Sequence, residues 1–196
     1  MARDQVDLTP IEGRDDLVSW IAQGVRPKSQ FRIGTEHEKF AFTLEGHRPV
    51  PYEGNRGIRA LLEGMQHLLG WEPIMEKGNI IGLYDVTGGG AISLEPGGQF
   101  ELSGAPVENV HQTQSELMAH LAQVREIASP LGIGFLGLGM TPSWSRAQVP
   151  VMPKGVAISR TCARCAISSL WVWCTDRKST RLNSSHVVTS RMPSSA

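Results

Sequence analysis

Residues 91 to 103, AISLEPGGQFELS, constrain the fold more than any other stretch of the chain. Two runs that alternate between apolar and polar are separated by Pro96-Gly97-Gly98. Proline presets a negative φ and glycine accepts a positive one, so the tripeptide predicts a reversal between two strands. Strand side chains alternate in direction. Ile92 and Leu94 therefore face one way and Ser93 and Glu95 the other; after the turn, Phe100 and Leu102 oppose Gln99, Glu101 and Ser103. Such a hairpin belongs to an antiparallel sheet with one apolar face to be covered and one polar face.

A second strand is predicted at 31–44, around RIGTEHEKFAF. One face reads Gly34, Glu36, Glu38, Phe40 and Phe42; the other reads Ile33, Thr35, His37, Lys39 and Ala41. Glu36 and Glu38 thus project side by side. One reading is an edge strand whose acids face water. The other is a pair of carboxylates at the rim of a cavity, where like-charge repulsion and burial both disfavour ionisation unless a cation is bound. Mg²⁺ suits such a site, because it prefers carboxylate oxygen and bridges to substrate phosphates. If the hairpin meets this strand, Glu36, Glu38, Glu95 and Glu101 share a pocket, with Gln99 beside them. Spacing does not establish that the two strands meet.

Helical cover is available. Leu17, Val18, Trp20 and Ile21 form a stripe in 15–24, with Asp15 near its start and Gly24 after its end. Ile58, Leu61, Leu62, Met65, Leu68 and Leu69 recur at helical spacing and stop at Gly70. A longer helix is predicted from Glu108 to Ala128, with Val110, Leu117, Leu121, Val124 and Ile127 on its stripe and Pro130 just past its end. LGIGFLGLG, 131–139, suits a central strand or one under close backbone approach. The chain is expected to be α+β, a largely antiparallel sheet with helices packed outside.

The 196 residues are 40% hydrophobic and 19% charged, enough for the core of one domain. Nineteen basic and nineteen acidic residues cancel, which argues against nucleic acid or an anionic membrane as partner. No run approaches a membrane span. The polar, acidic first 30 residues do not resemble a secretory signal, so a cytoplasmic location is expected.

Other motifs carry less. Gly88-Gly89-Gly90 lacks the Lys-Ser/Thr of a phosphate loop and reads as a flexible loop. His37 has no second histidine at ligand spacing and reads as a satisfied structural histidine. His111-Gln112-Thr113 opens a helix stripe and reads as packing. Lys154, in MPKG, stands in a turn-like setting that says nothing alone. Cys162-Ala-Arg-Cys165 has only Cys174 and the distant His186 nearby, against the four ligands that zinc needs.

The chain changes character near residue 155. Residues 156–175 have no clean period, and no acid follows Asp176. DRKSTRLNSSH (176–186) and SRMPSSA (190–196) resemble one reading frame of a sequencing-library adapter. Residues 1–155 are therefore expected to form the domain, and 156–196 a non-native, disordered tail from frame loss and adapter read-through, which discounts the CxxC, Trp171 and Trp173.

GTEHEKF, NIIGL, SLEPGGQFELSGAP, HQT, GIGFLG and VPVMPKG occur in order over residues 8 to 155. Together they resemble the N-terminal part of glutamate–cysteine ligases of the plant and proteobacterial type. The resemblance implies a glutamine-synthetase-like antiparallel sheet curled into a funnel, with helices outside. It also implies the first step of glutathione synthesis: ATP phosphorylates the γ-carboxylate of glutamate, and the amine of cysteine attacks the acyl phosphate. Carried onto these positions, Glu36, Glu38, Glu95 and Glu101 are expected Mg²⁺ ligands and Gln99 a polar contact to nucleotide or glutamate. The substrates implied are glutamate, cysteine and ATP. In the family MPKG is followed by an Arg-Tyr pair and a long catalytic stretch; here Val156 and Ala157 take that place. The chain is accordingly expected to be an inactive fragment. The same acids also allow a metal-dependent hydrolase, or a noncatalytic binding module.

Overall fold

The computed structural model describes residues 10–138 and 141–154, and the backbone of 185–189. The chain begins with helix α1 (Arg14–Ala22), then strand β1 (Ile33–Thr43) and helix α2 (Ile58–Leu69). Strands β2 (Glu72–Glu76), β3 (Asn79–Tyr84), β4 (Ala91–Glu95) and β5 (Gln99–Ser103) follow, then helix α3 (Val110–Leu131) and strand β6 (Ile133–Leu136). A last strand, β7, spans Ser185–Thr189. The sheet is antiparallel and open in the order β2-β3-β4-β5-β1-β6, with β7 also paired to β1. The α+β expectation therefore holds.

The 91–103 hairpin forms as predicted. Its turn, residues 96–98, holds Gly97 at φ 78° and Gly98 at φ 82°, conformations that only glycine adopts without strain. The turn is packed from outside by residues of the 141–154 segment. A Cβ on Gly97 would stand 2.9 Å from Val149, and one on Gly98 would stand 2.9 Å from Met152.

One sheet face meets α2 and α3. Leu61, Leu62 and Met65 of α2 and Val124 and Ala128 of α3 pack with Leu83, Ile92, Leu94, Phe100 and Leu102 of the sheet. Burying side chains of this size stabilises by roughly 2 kcal/mol each, before the cost of ordering them. Gly64 lets the two helices approach, since a Cβ there would lie 2.6 Å from Ile127. Asn109 caps α3, its Oδ1 accepting from the amides of His111 and Gln112, and Gln112 returns the contact as a capping box.

The structure corrects several sequence expectations. Helix α3 continues through Pro130 to Leu131 and stops at Gly132, φ 71°. In the last turn the proline removes one amide without ending the helix; the left-handed glycine is the stop. Strand β6 lies at the end of the strand order rather than at the centre. The close approach expected there is present, because a Cβ on Gly134 would lie 2.6 Å from the Phe42 ring. The β2–β3 hairpin was not predicted. Its turn uses Lys77 at φ 49° and Gly78 at φ 79°, and Lys77 is not a residue that usually signals such a turn. Helix α1 forms, but Leu17, Val18, Trp20 and Ile21 stay 49–70% exposed, so its stripe covers none of the described core.

Candidate functional site

Register decides where the acids go. On β1 and β5, Glu36 stands opposite Ser103, Glu38 opposite Glu101 and Phe40 opposite Gln99. On β4 and β5, Ala91 pairs with Ser103, Ser93 with Glu101 and Glu95 with Gln99. Residues directly opposite point the same way. Three adjacent strands therefore bring Glu36, Glu38, Glu95, Gln99 and Glu101 to one face, the face away from α2 and α3. The strands whose meeting spacing left open do meet. Glu38 and Glu101 are buried, as are Gln99 and Ser93 between and beside them.

The polar groups on this face are tied to one another. Gln99 Nε2 donates to Glu38 Oε2 at 2.9 Å, and Ser103 Oγ donates to Glu101 Oε1 at 2.6 Å. Ser93 Oγ reaches Glu95 Oε1 at 3.4 Å. Lys154 Nζ donates to Glu95 Oε1 at 2.8 Å and also to the carbonyl of Leu94. Burial pushes the Glu95 carboxyl above its ordinary range; Lys154 opposes that shift and Glu101 adds to it. Gln99 Oε1 is buried and has no hydrogen-bond partner among the described residues.

Lys154 is the site residue that sequence reasoning missed. Its approach to Glu95 depends on the path of residues 141–154 across the hairpin, which no local pattern encodes. Trp144 belongs to the same segment. Its ring meets Phe40 edge-on at 6.0 Å, and its Nε1 donates to the His47 carbonyl at 2.8 Å.

The acids share a face without forming one cage. Among the described residues, no group of three or more His, Cys, Asp or Glu side chains is arranged to hold a metal ion. Glu38 and Glu101 are direct partners across β1 and β5, while Glu95 is paired with Lys154. Gly88-Gly89-Gly90 closes the β3–β4 turn, where the Gly89 amide donates to the Asp85 carbonyl and the Asp85 amide to that of Gly90. His111 serves the α3 cap. The CxxC, Trp171 and Trp173 lie outside the described residues.

Behind the acid rungs, on the helix side, stand three basic groups: Lys39 and His120, both buried, and His37, half-buried. Lys39 is 1% exposed and His120 of α3 is 3% exposed. Lys39 Nζ lies 3.4 Å from His37 Nδ1 and 5.4 Å from the centroid of the Phe100 ring. His120 stacks on the same Phe100 ring, 6.3 Å between centroids. Burial lowers the Lys39 ammonium to about 7, partly offset by Glu101. Burial first and Lys39 second lower His37 to about 4 and His120 to about 2.

The fold and the face define a class of protein in which one antiparallel sheet presents a row of carboxylates, backed by helices. Residues 32–169 match the model of glutamate–cysteine ligase family 2, and the chain belongs to that family. The match runs past residue 155, where the sequence pattern breaks. The chain is 47% identical over 152 residues to "Glutamate–cysteine ligase A, chloroplastic" of Oryza sativa subsp. japonica, covering 78% of this chain and 30% of that protein. It is 50% identical over 152 residues to the chloroplastic glutamate–cysteine ligase of Medicago truncatula, covering 78% and 29%. For that of Arabidopsis thaliana the figures are 51% over 142 residues, 72% and 26%. The chain spans under a third of the length of these relatives. Among the described residues, no helix is long and apolar enough to cross a membrane.

Proposed function

We propose that this chain carries the cation-binding part of an ATP-dependent ligase that joins the γ-carboxylate of glutamate to the amine of cysteine through a γ-glutamyl phosphate. The observation that carries the reading is the Glu38–Glu101 rung on the sheet face of a chain in the glutamate–cysteine ligase family. Small-molecule substrates follow from the family; glutamate, cysteine and ATP are the finer assignment.

The residues fit Mg²⁺. That ion keeps several waters and takes one or two carboxylates plus phosphate oxygens, so a pair of facing acids suffices where a closed cage would not suit it. Glu38 and Glu101 are the ligands we assign first. Glu36 lies one rung further along, and Glu95 is available where Lys154 releases it. A cation held by Glu38 and Glu101 would supply neutralisation of the charge that develops during phosphoryl transfer. Gln99 holds Glu38 in place through Nε2, leaving Oε1 as an acceptor for a donor group of nucleotide or amino acid. Ser103 fixes Glu101 from its other side. Strands hold these groups more rigidly than loops, which transfer of a phosphoryl group over a short distance requires.

Mn²⁺ binding to the 196-residue chain, followed by electron paramagnetic resonance with and without ATP, tests the reading. Saturable Mn²⁺ binding that tightens with ATP is expected; its absence overturns the assignment. Because the chain covers under a third of its relatives, we expect no phosphate release from ATP with glutamate and cysteine, and observed turnover would refute that part.

A further inference from the structure

A lysine at 1% exposure in a hydrophobic core is costly, because the ammonium loses its water. Lys39 is in that position, and its contacts have a pattern. Nζ donates to the carbonyl of Phe100 at 3.3 Å and to the carbonyl of His37 at 3.4 Å. One carbonyl belongs to β5 and the other to β1, so a single ammonium spans the two strands. The carbonyl of His37 is part of the planar peptide unit that leads into Glu38, and the carbonyl of Phe100 is part of the unit that leads into Glu101. Glu38 and Glu101 stand opposite each other on the far face, and Lys39 stands opposite Phe100 on the near face. The Phe100 ring lies under the ammonium, and His120 stacks on that ring, so α3 holds the arrangement from behind.

We propose that Lys39 is a positioning residue for the acid rung: from the helix side of the sheet it ties the peptide units preceding Glu38 and Glu101, and so fixes the separation and tilt at which the two carboxylates meet a divalent cation. The inference rests on the assignment of those acids as cation ligands. Two strands bearing like charges directly opposite are pushed apart at that rung. The bridge opposes the push at the same rung, without placing a positive charge among the ligands. A methionine would fill the same volume without the two hydrogen bonds, which makes Lys39→Met the informative change.

The test is Mn²⁺ affinity of the 196-residue chain and of Lys39→Met, with circular dichroism to show that the variant folds. The two physical effects have opposite signs. Loss of a nearby cation by itself strengthens binding of a second cation. Loss of positioning weakens it, by about tenfold for a supporting group of this kind. We expect weaker binding in Lys39→Met with the fold retained. Equal or tighter binding overturns the inference and leaves the ligand assignment standing. An unmodified chain that binds no Mn²⁺ overturns both. If Lys39→Met does not fold, a hydrogen-bond scalar coupling between Lys39 Nζ and the carbonyl carbons of His37 and Phe100, measured in the labelled unmodified chain, decides: its presence supports the bridge and its absence overturns it.

Discussion

Glu38 and Glu101 stand directly opposite one another on β1 and β5, both buried, on the sheet face away from the helices. Facing like charges destabilise a strand pair by roughly 0.2–1 kcal/mol. Glu101→Gln is therefore expected to raise the melting temperature of the metal-free chain slightly while weakening Mn²⁺ binding by at least about tenfold. Thermal melts and Mn²⁺ titration of the same preparation check the two signs together. A variant that melts lower and binds Mn²⁺ normally would contradict the role given to the rung.

Lys154 and Glu95 form a pair whose side chains are 17% and 15% exposed. Lys154→Met leaves Glu95 without its cation, and the carboxyl then rises further above its ordinary range. Removing one partner of a mostly buried pair is expected to cost about 1–3 kcal/mol, below the fully buried case because some water remains. Lys154→Met with Glu95→Gln should recover most of that loss. Chemical denaturation of the two single variants and the double variant measures the coupling, and simple additivity would show the pair to be incidental.

His120 makes the fold sensitive to acid. Its imidazole is held to about 2 by burial, then by Lys39 and His37, the groups that face it from β1. The unfolded chain takes up a proton near pH 6.5, so below that pH the unfolded state binds more protons than the folded one. The His120 contribution is complete above pH 6.5 and falls by up to about 1.4 kcal/mol per pH unit as pH drops below it. His37, held to about 4, adds in the same direction over a narrower window. His120→Phe, which keeps a ring against Phe100, should remove about half of the histidine dependence between pH 6.5 and 5, His37 supplying the rest. Melting temperatures across that range test it; an unchanged slope would remove His120 from the account.

Gly98 holds a left-handed conformation at the tip of the β4–β5 hairpin and meets Met152. Gly98→Ala is expected to destabilise by about 1–2 kcal/mol, since a left-handed alanine is strained. Met152 gives way easily, so the backbone sets the cost. Unfolding in urea reads this directly, and an increase in stability would show that the turn relaxes to another type.

The hairpin was legible because Pro96-Gly97-Gly98 is local chemistry and the runs on either side keep a strict period of two. The partition of Glu36, Glu38, Glu95, Gln99 and Glu101 onto particular strand faces was legible for the same reason. Helix α2 could be placed from its stripe; α3 was found as a helix, but Val110 and Leu121 of its expected stripe are exposed, and the buried residues are Thr113, His120, Val124 and Ala128. What failed lay where local signals were weak or misleading: a hairpin turning at Lys77, a proline tolerated in the last turn of α3, and an apolar stripe on α1 that meets none of the described core.

Residue order alone determined that two sets of acids would each line one side of a strand. It could not determine that the two sides were the same, because pairing between β1 and β5 joins residues about sixty positions apart and is set by how the whole sheet assembles. Tertiary structure also decided which face of β1 became the core. The alternation gave Lys39 no reason to be inside. Phe40 and Phe42 accompany the acids, and Lys39 lies under α3 because a strand offers only two faces and the acid rung took the other. Lys154, on a segment with no regular period, reached Glu95 only through the path of the chain across the hairpin.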